Sequence, residues 1–141
     1  MARIKLTVPE HFNFTTTIPV RITDLNYGGH VGNDTVLSLL HEARVQFLRH
    51  FSYSELELEG AGLIMSDAAL EFKSELFYGD VVRAYVTVTD FSRVGFDICY
   101  KLLNESTGQV IALAKTGMVC YDYKNKKVIA VPEGVASKLT S

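Results

Sequence analysis

Within one short stretch the chain places four side chains that could act together chemically, Asp24, Asn26, His30 and Glu42. A carboxylate can take a proton from water or attack a carbonyl itself. A histidine with a titration range near neutrality can polarise a carbonyl or relay a proton. Gly28, Gly29 and Gly32 lie among them. Glycine leaves the backbone unshielded, which suits a set of main-chain donors aimed at a developing oxyanion.

Each of these residues also has a purely structural reading. Asp24 ends a strand and could hydrogen-bond its own loop, as Asp does in turns. Asn26 could be an Asx-turn residue, or could orient substrate or water through its amide. His30 could pack and donate to a carbonyl. Asn33 is most simply the helix N-cap, with Asp34 as the other capping candidate. Glu42 falls within an apolar helix, where a buried carboxylate is rare unless it is paired or functional. It is therefore either a salt-bridge partner or a base whose pKa burial raises. Arg44 reads as a subunit or surface contact.

The elements that must hold these groups follow from periodicity. Residues 12–23, FNFTTTIPVRIT, are rich in β-branched and aromatic types and predict a strand. Pro19 removes a ladder donor, so an edge or a bulge is expected there. DLNYGGHVGND, 24–34, is an ordered loop. Residues 35–51 contain no Gly or Pro, and Val36, Leu40, Ala43 and Phe47 recur at helical spacing. Leu37, Leu39 and Leu48 widen that stripe, which predicts a central helix nearly surrounded by other elements. Strands are then predicted over 63–76, 81–91, 94–104, 109–123 and 128–131, with a short terminal helix over 133–139. Strands joined without intervening helices pair antiparallel. The expected class is α+β, and no repeat or linker divides residues 1–141 into more than one domain.

Composition narrows the partners. A formal charge of −2 and no extended Lys/Arg run give no attraction for nucleic acid. No apolar stretch approaches a membrane span or a signal peptide, so a cytoplasmic protein without membrane association is the default expectation. Cys99 and Cys120 read as buried free thiols, with a cross-strand pair as the alternative. His11, His30, His41 and His50 are scattered, and no HExxH, CxxC, P-loop or Rossmann pattern occurs, so no metal and no cofactor is expected.

The stretch VRITDLNYGGHVGNDTVLSLLHEARVQFL resembles the signature of hotdog-fold thioesterases of the 4-hydroxybenzoyl-CoA thioesterase type, an Asp-x-Asp-x-x-Gly-His-Val-Asn-Asn pattern before a helix containing Glu-Ala-Arg. The matching residues are Asp24, Gly29, His30, Val31, Asn33, Glu42, Ala43 and Arg44. A Tyr78-Gly79-Asp80 turn and the run Asn104, Glu105, Thr107, Gly108 fill a second frame, so the resemblance covers nearly the whole chain. It implies a hotdog fold, one long central helix wrapped by a curved antiparallel sheet, and an acyl-CoA thioesterase working as a homodimer or homotetramer. Asp24, Asn26, His30 and Glu42 would then be the catalytic candidates, and Gly28, Gly29, Val31, Gly32 and Asn33 would line the substrate. Two departures stand out. The family's second Asp, often its catalytic carboxylate, is Asn26, and the first Asn of its Asn-Asn pair is Gly32. A neutral amide cannot serve as base or carboxylate nucleophile, so the carboxylate work would fall to Asp24 or Glu42. The same departure admits a non-catalytic acyl-CoA or acyl-carrier binding protein on this fold.

Overall fold

A computed structural model describes residues 3–141. The order is β1 (Phe14–Pro19), a 3-10 turn (Ile22–Asp24), α1 (Asn33–His50), β2 (Gly62–Phe72), β3 (Val81–Thr89), β4 (Gly95–Asn104), β5 (Val110–Asp122), β6 (Lys127–Val128) and α2 (Val135–Leu139). The strands form one antiparallel sheet in the order β1-β3-β4-β5-β2, with β6 added to β5. β1 is thus an edge, and its last residue, Pro19, sits opposite Val81. That is the place where a missing N–H costs least.

Several boundaries move. The first predicted strand stops at Pro19 because the chain turns at Ile22–Asp24 instead of extending. β2 ends at Phe72, and residues 73–76 run on outside the ladder. β6 is two residues long, and α2 begins only after Gly134. Cys99 faces Lys115 in the β4–β5 register and Cys120 faces Leu63 on β2, so the two thiols are not neighbours; both are free and buried.

α1 lies against the sheet through Val36, Leu39, Leu40, Ala43, Phe47 and Leu48, all buried. They meet Val82, Val86, Ile98, Tyr100, Leu102 and Ile111 in one apolar core. The helix is not surrounded. Leu37, Ser38, His41 and Glu42 are exposed, because they fall on the side of α1 turned away from that core. Leu37 therefore does not widen the buried stripe. A turn at 77–80 holds the loop end of the sheet: Phe77 N–H donates to Asp80 Oδ2 at 2.8 Å, Asp80 N–H returns to Phe77 O at 3.1 Å, and Gly79 takes the left-handed φ of +91° that the turn needs.

Candidate active site at the start of the long helix

The loop before α1 is a small hairpin closed by its own backbone. Asn26 N–H donates to His30 O at 2.9 Å, and Gly29 N–H to Asn26 O at 3.1 Å. Gly29 occupies the tip with φ +83°, open to solvent. Val31 N–H reaches Leu76 O at 2.9 Å and ties the returning arm to the segment after β2. The Val31 side chain is buried in the core and also borders the cleft that opens beside His30 and Asn33.

Asp24 is the anchor of this loop. It is 5% exposed, accepts Arg21 N–H at 2.8 Å through Oδ2, and meets the Arg21 guanidinium at 3.3 Å through Oδ1. Its carboxylate is committed to closing the 3-10 turn, which favours the structural reading over the catalytic one.

Asn26 is arranged differently. Its Oδ1 accepts Gly28 N–H at 2.8 Å. A backbone N–H can only donate, so this bond fixes which end of the amide is oxygen. The Nδ2 end is turned the other way, 3.7 Å from where a Cβ on Gly32 would stand, and among the described residues it donates to nothing. His30 lies on the Oδ1 side: its Nε2 is 3.6 Å from the corresponding Cβ position on Gly28. The His30 ring is half-buried, with Nδ1 3.2 Å from Val31 O and Nε2 3.7 Å from Glu75 Oε1.

The helix cap corrects the sequence expectation. Gly32 is the N-cap, with extended backbone, and among the described residues no side chain caps the helix. Asn33 and Asp34 are the first helical residues, both exposed. Thr35 and Val36 N–H go back to Gly32 O at 3.0 and 3.2 Å, whereas Asn33 and Asp34 N–H have no acceptor among the described residues. The first N–H groups of a helix carry its positive dipole end and bind anionic groups when left uncapped.

An open cleft of about 330 Å³ runs from this point, lined by His30, Asn33, Val36, Lys73, Glu75 and Ile111 among others. Glu42 is not part of it. It is exposed rather than buried, accepts Gln46 Nε2–H at 2.8 Å, and lines a separate groove of about 420 Å³ between β1 and α1 with Thr17, Pro19, Arg21 and His41. Glu42 follows Asn33 by nine residues, roughly 13 Å along the axis at 1.5 Å per residue. The structure thus brings Asn26, Gly28, His30, Gly32 and Asn33 together, and leaves Asp24 beneath the loop and Glu42 on another face. Among the described residues no three His, Cys, Asp or Glu side chains gather as metal ligands would, and no helix is long and apolar enough to cross a membrane.

The charged residue that does enter the interior is Arg44, read from sequence as a surface or subunit contact. It is 8% exposed. Its Nε donates to Glu55 Oε1 at 2.5 Å and its Nη1 to Tyr100 OH at 3.1 Å, and that hydroxyl lies 2.7 Å from Thr116 Oγ1. Burial works against the Arg44 charge, but Tyr100 and Glu55 outweigh it and the guanidinium holds its proton more firmly than usual. Burial likewise pushes the Tyr100 phenol up.

A family model described as the thioesterase-like superfamily matches residues 20–139. A protein of Aquifex aeolicus (strain VF5), named only provisionally as an esterase, is 30% identical over 122 residues, 85% of this chain and 92% of the relative. Two solved structures share the fold. One is a 1,4-dihydroxy-2-naphthoyl-CoA thioesterase from Synechocystis, with TM-score 0.80 and 23% identity over 89% of this chain and 94% of its own. The other is a thioesterase complexed with coenzyme A and Zn from Thermus thermophilus, with TM-score 0.80 and 20% identity over 93% and 100%. The helix and its curved six-stranded sheet are the hotdog fold.

Proposed function

The chain belongs to the thioesterase-like superfamily and is a thioester hydrolase, and from that premise we propose that its substrate is an acyl-CoA and that the thioester carbonyl is held at the mouth of α1. The observation that carries this reading is the unpaired donor set there: Asn26 Nδ2–H, whose orientation the Gly28 bond fixes, and the uncapped N–H groups of Asn33 and Asp34. Hydrolysis builds negative charge on the carbonyl oxygen, and fixed donors that meet it supply several kcal/mol of transition-state stabilisation, about 2.7–4 for a single donor. Gly28 and Gly32 keep side chains out of the approach. His30 borders the site and, with Glu75 behind it, orients the acyl group or the leaving sulfur.

The cleft from His30 past Asn33 to Lys73 gives the CoA moiety a path with one cation along it. Lys73 is ion-paired with Glu71 at 2.8 Å but half exposed, so it can exchange that partner for a phosphate. Lys115, on β5, already meets Asp67 at 3.1 Å and Asp97 at 3.8 Å and is unsuited to that role.

The working form in this reading is a homo-oligomer. β1 and β2 are open sheet edges, and Leu37 and Met65 are exposed on one 250 Å³ groove between α1 and β2. Edges and apolar groups of this kind are covered by self-association in many sheet proteins. The test of function is release of free thiol from short, long and aromatic acyl-CoAs by the purified protein. Turnover of at least one class is expected, and silence across all three rejects the acyl-CoA assignment.

A further inference from the structure

We propose that Asp34 is the carboxylate that activates water in this site, standing in for the one that the loop lacks at Asn26. The proposal rests on the acyl-CoA reading above and names the base that this reading leaves unassigned.

Of the carboxylates Asp24, Glu42, Glu75 and Asp34, three are placed for other work. Asp24 is buried under the loop and bonded to Arg21. Glu42 is on the far groove beside Gln46. Glu75 faces His30. Asp34 is exposed at the helix mouth and makes no hydrogen bond or ion pair among the described residues.

Gly32 shows why that carboxylate sits where it does. Its φ of −70° and ψ of 155° are ordinary extended values, so the backbone does not require glycine. The space does. A Cβ at position 32 would stand 2.6 Å from Asp34 Oδ1, and the same point is 3.7 Å from Asn26 Nδ2. The Asp34 oxygen therefore fills the volume a side chain at 32 would take, and the Asn26 Nδ2 borders the same point. The two loop positions where this chain departs from the thioesterase pattern, 26 and 32, meet at this point. A carboxylate is missing at the first, and glycine at the second makes room for one that arrives from the helix.

In the step this supports, Asp34 removes a proton from water as the water oxygen bonds to the thioester carbonyl carbon. The oxyanion rests on Asn26 Nδ2–H and a helix N–H. On collapse the C–S bond breaks, the proton held by Asp34 passes to the departing sulfur, and the products are the free acid and the CoA thiol, with Asp34 ionised again. An acidic residue in a first helical turn also stabilises the helix by roughly 0.3–1 kcal/mol, and a test has to separate the two roles.

The experiment compares wild type, Asp34→Asn, Asp34→Glu and Gly32→Ala across pH on an acyl-CoA that the wild type turns over, with melting temperature measured alongside. Asp34→Asn is expected to lower kcat by about 10² or more, the usual range for a general base, with KM and melting temperature little changed. Asp34→Glu, which keeps a carboxylate and leaves the Asn26 donor in place, should recover at least about tenfold of that loss, and the acid limb of the wild-type pH–rate profile should be absent from Asp34→Asn. A merely structural residue moves no such limb. Gly32→Ala should displace the Asp34 carboxylate and reproduce the Asp34→Asn loss. An active wild type with Asp34→Asn within about threefold of it overturns the assignment alone, as does an acid limb of the pH–rate profile that Asp34→Asn retains. A wild type silent on every acyl-CoA overturns the substrate reading and this assignment together.

Discussion

α1 carries two polar clusters that are finished to different degrees. At its middle, Arg44 meets Glu55 and Tyr100, and Tyr100 meets Thr116, so every charged or hydroxyl group is spent on a protein partner. At its start, the Asn26 Nδ2 and the N–H groups of Asn33 and Asp34 lie close together and have no acceptor among the described residues. A buried polar group left unpaired costs free energy, so completed networks hold structure together. Donors left open at a solvent-facing position cost little, because water serves them until a ligand replaces it. Function in this fold therefore belongs to the incomplete cluster, even though the complete one is the more conspicuous.

Arg44 gives the largest effect by which this contrast can be broken. Arg44→Met keeps the stem's volume and removes the charge. Cutting one partner from a buried ion pair costs about 3–5 kcal/mol. Glu55 is partly exposed and can relax into water, so a loss near the lower end of that range is expected, read as a lower urea midpoint with an unchanged m-value. At a temperature where the variant is still folded, kcat should stay within a few-fold of wild type. A large fall in kcat at full folding would mean that the buried network also shapes the site.

Asn26→Ala probes the other cluster, and the pattern reverses. Loss of one carbonyl-oxygen donor should lower kcat by about 10²–10³. Stability should fall by only about 0.5–1.5 kcal/mol, the worth of the bond that Gly28 N–H loses. Equal losses of stability from Asn26→Ala and Arg44→Met would erase the distinction between the clusters.

These two clusters were unequally legible in the sequence. The loop announced itself, because three glycines, Asn26 and His30 between a β-rich run and a Gly-free helix have few other uses. The element order followed from Gly and Pro punctuation for the same reason. The helix's charged residues were harder. Glu42 and Arg44 are two residues apart and so point roughly 200° from each other at 100° per residue, yet leucines at 37, 39, 40 and 48 do not show which of the two turns inward. Arg44 wins because Glu55 and Tyr100 are there to receive it. Tyr100 comes from a strand far along the chain, and no local pattern signals such a meeting. The role of Gly32 was hidden likewise. A glycine before Asn-Asp reads as loop flexibility, and only the 2.6 Å approach of Asp34 Oδ1 shows that a side chain there would displace that carboxylate.

The pH dependence of stability sharpens the contrast further. Burial raises the Glu55 carboxyl, but the Arg44 hydrogen bond and charge, aided by His41, outweigh it and hold the group below its ordinary 4.5. A carboxyl whose pKa is lower folded than unfolded contributes stability above the unfolded value and gives it up as pH falls through the folded one. The stability gap between wild type and Arg44→Met should therefore be widest above pH 4.5 and narrow below it, in urea titrations run across the acid range. A gap independent of pH would assign the Arg44 contribution to packing and to its bond with Tyr100 alone.

The smallest effect belongs to an ion pair of the same residue types elsewhere. Arg83 Nε meets Glu105 Oε2 at 2.7 Å, close to the Arg44–Glu55 separation, but both side chains are about a third or more exposed. Water already solvates the two charges there, and ordering two long side chains offsets much of the attraction, so exposed pairs contribute about 0–1 kcal/mol. Glu105→Gln should shift the urea midpoint by well under the Arg44→Met effect. The shift should shrink further in high salt, which screens exposed charges and barely reaches buried ones, while the Arg44→Met effect should survive. Arg83 also donates to Thr15 Oγ1 at 3.3 Å across the β1–β3 pairing, a bond that Glu105→Gln leaves in place, so the variant isolates the charge. An Arg83–Glu105 contribution equal to that of Arg44–Glu55, and equally resistant to salt, would show that geometry rather than completeness of burial sets the worth of these pairs, and would remove the basis for reading the Arg44 cluster as the structural one.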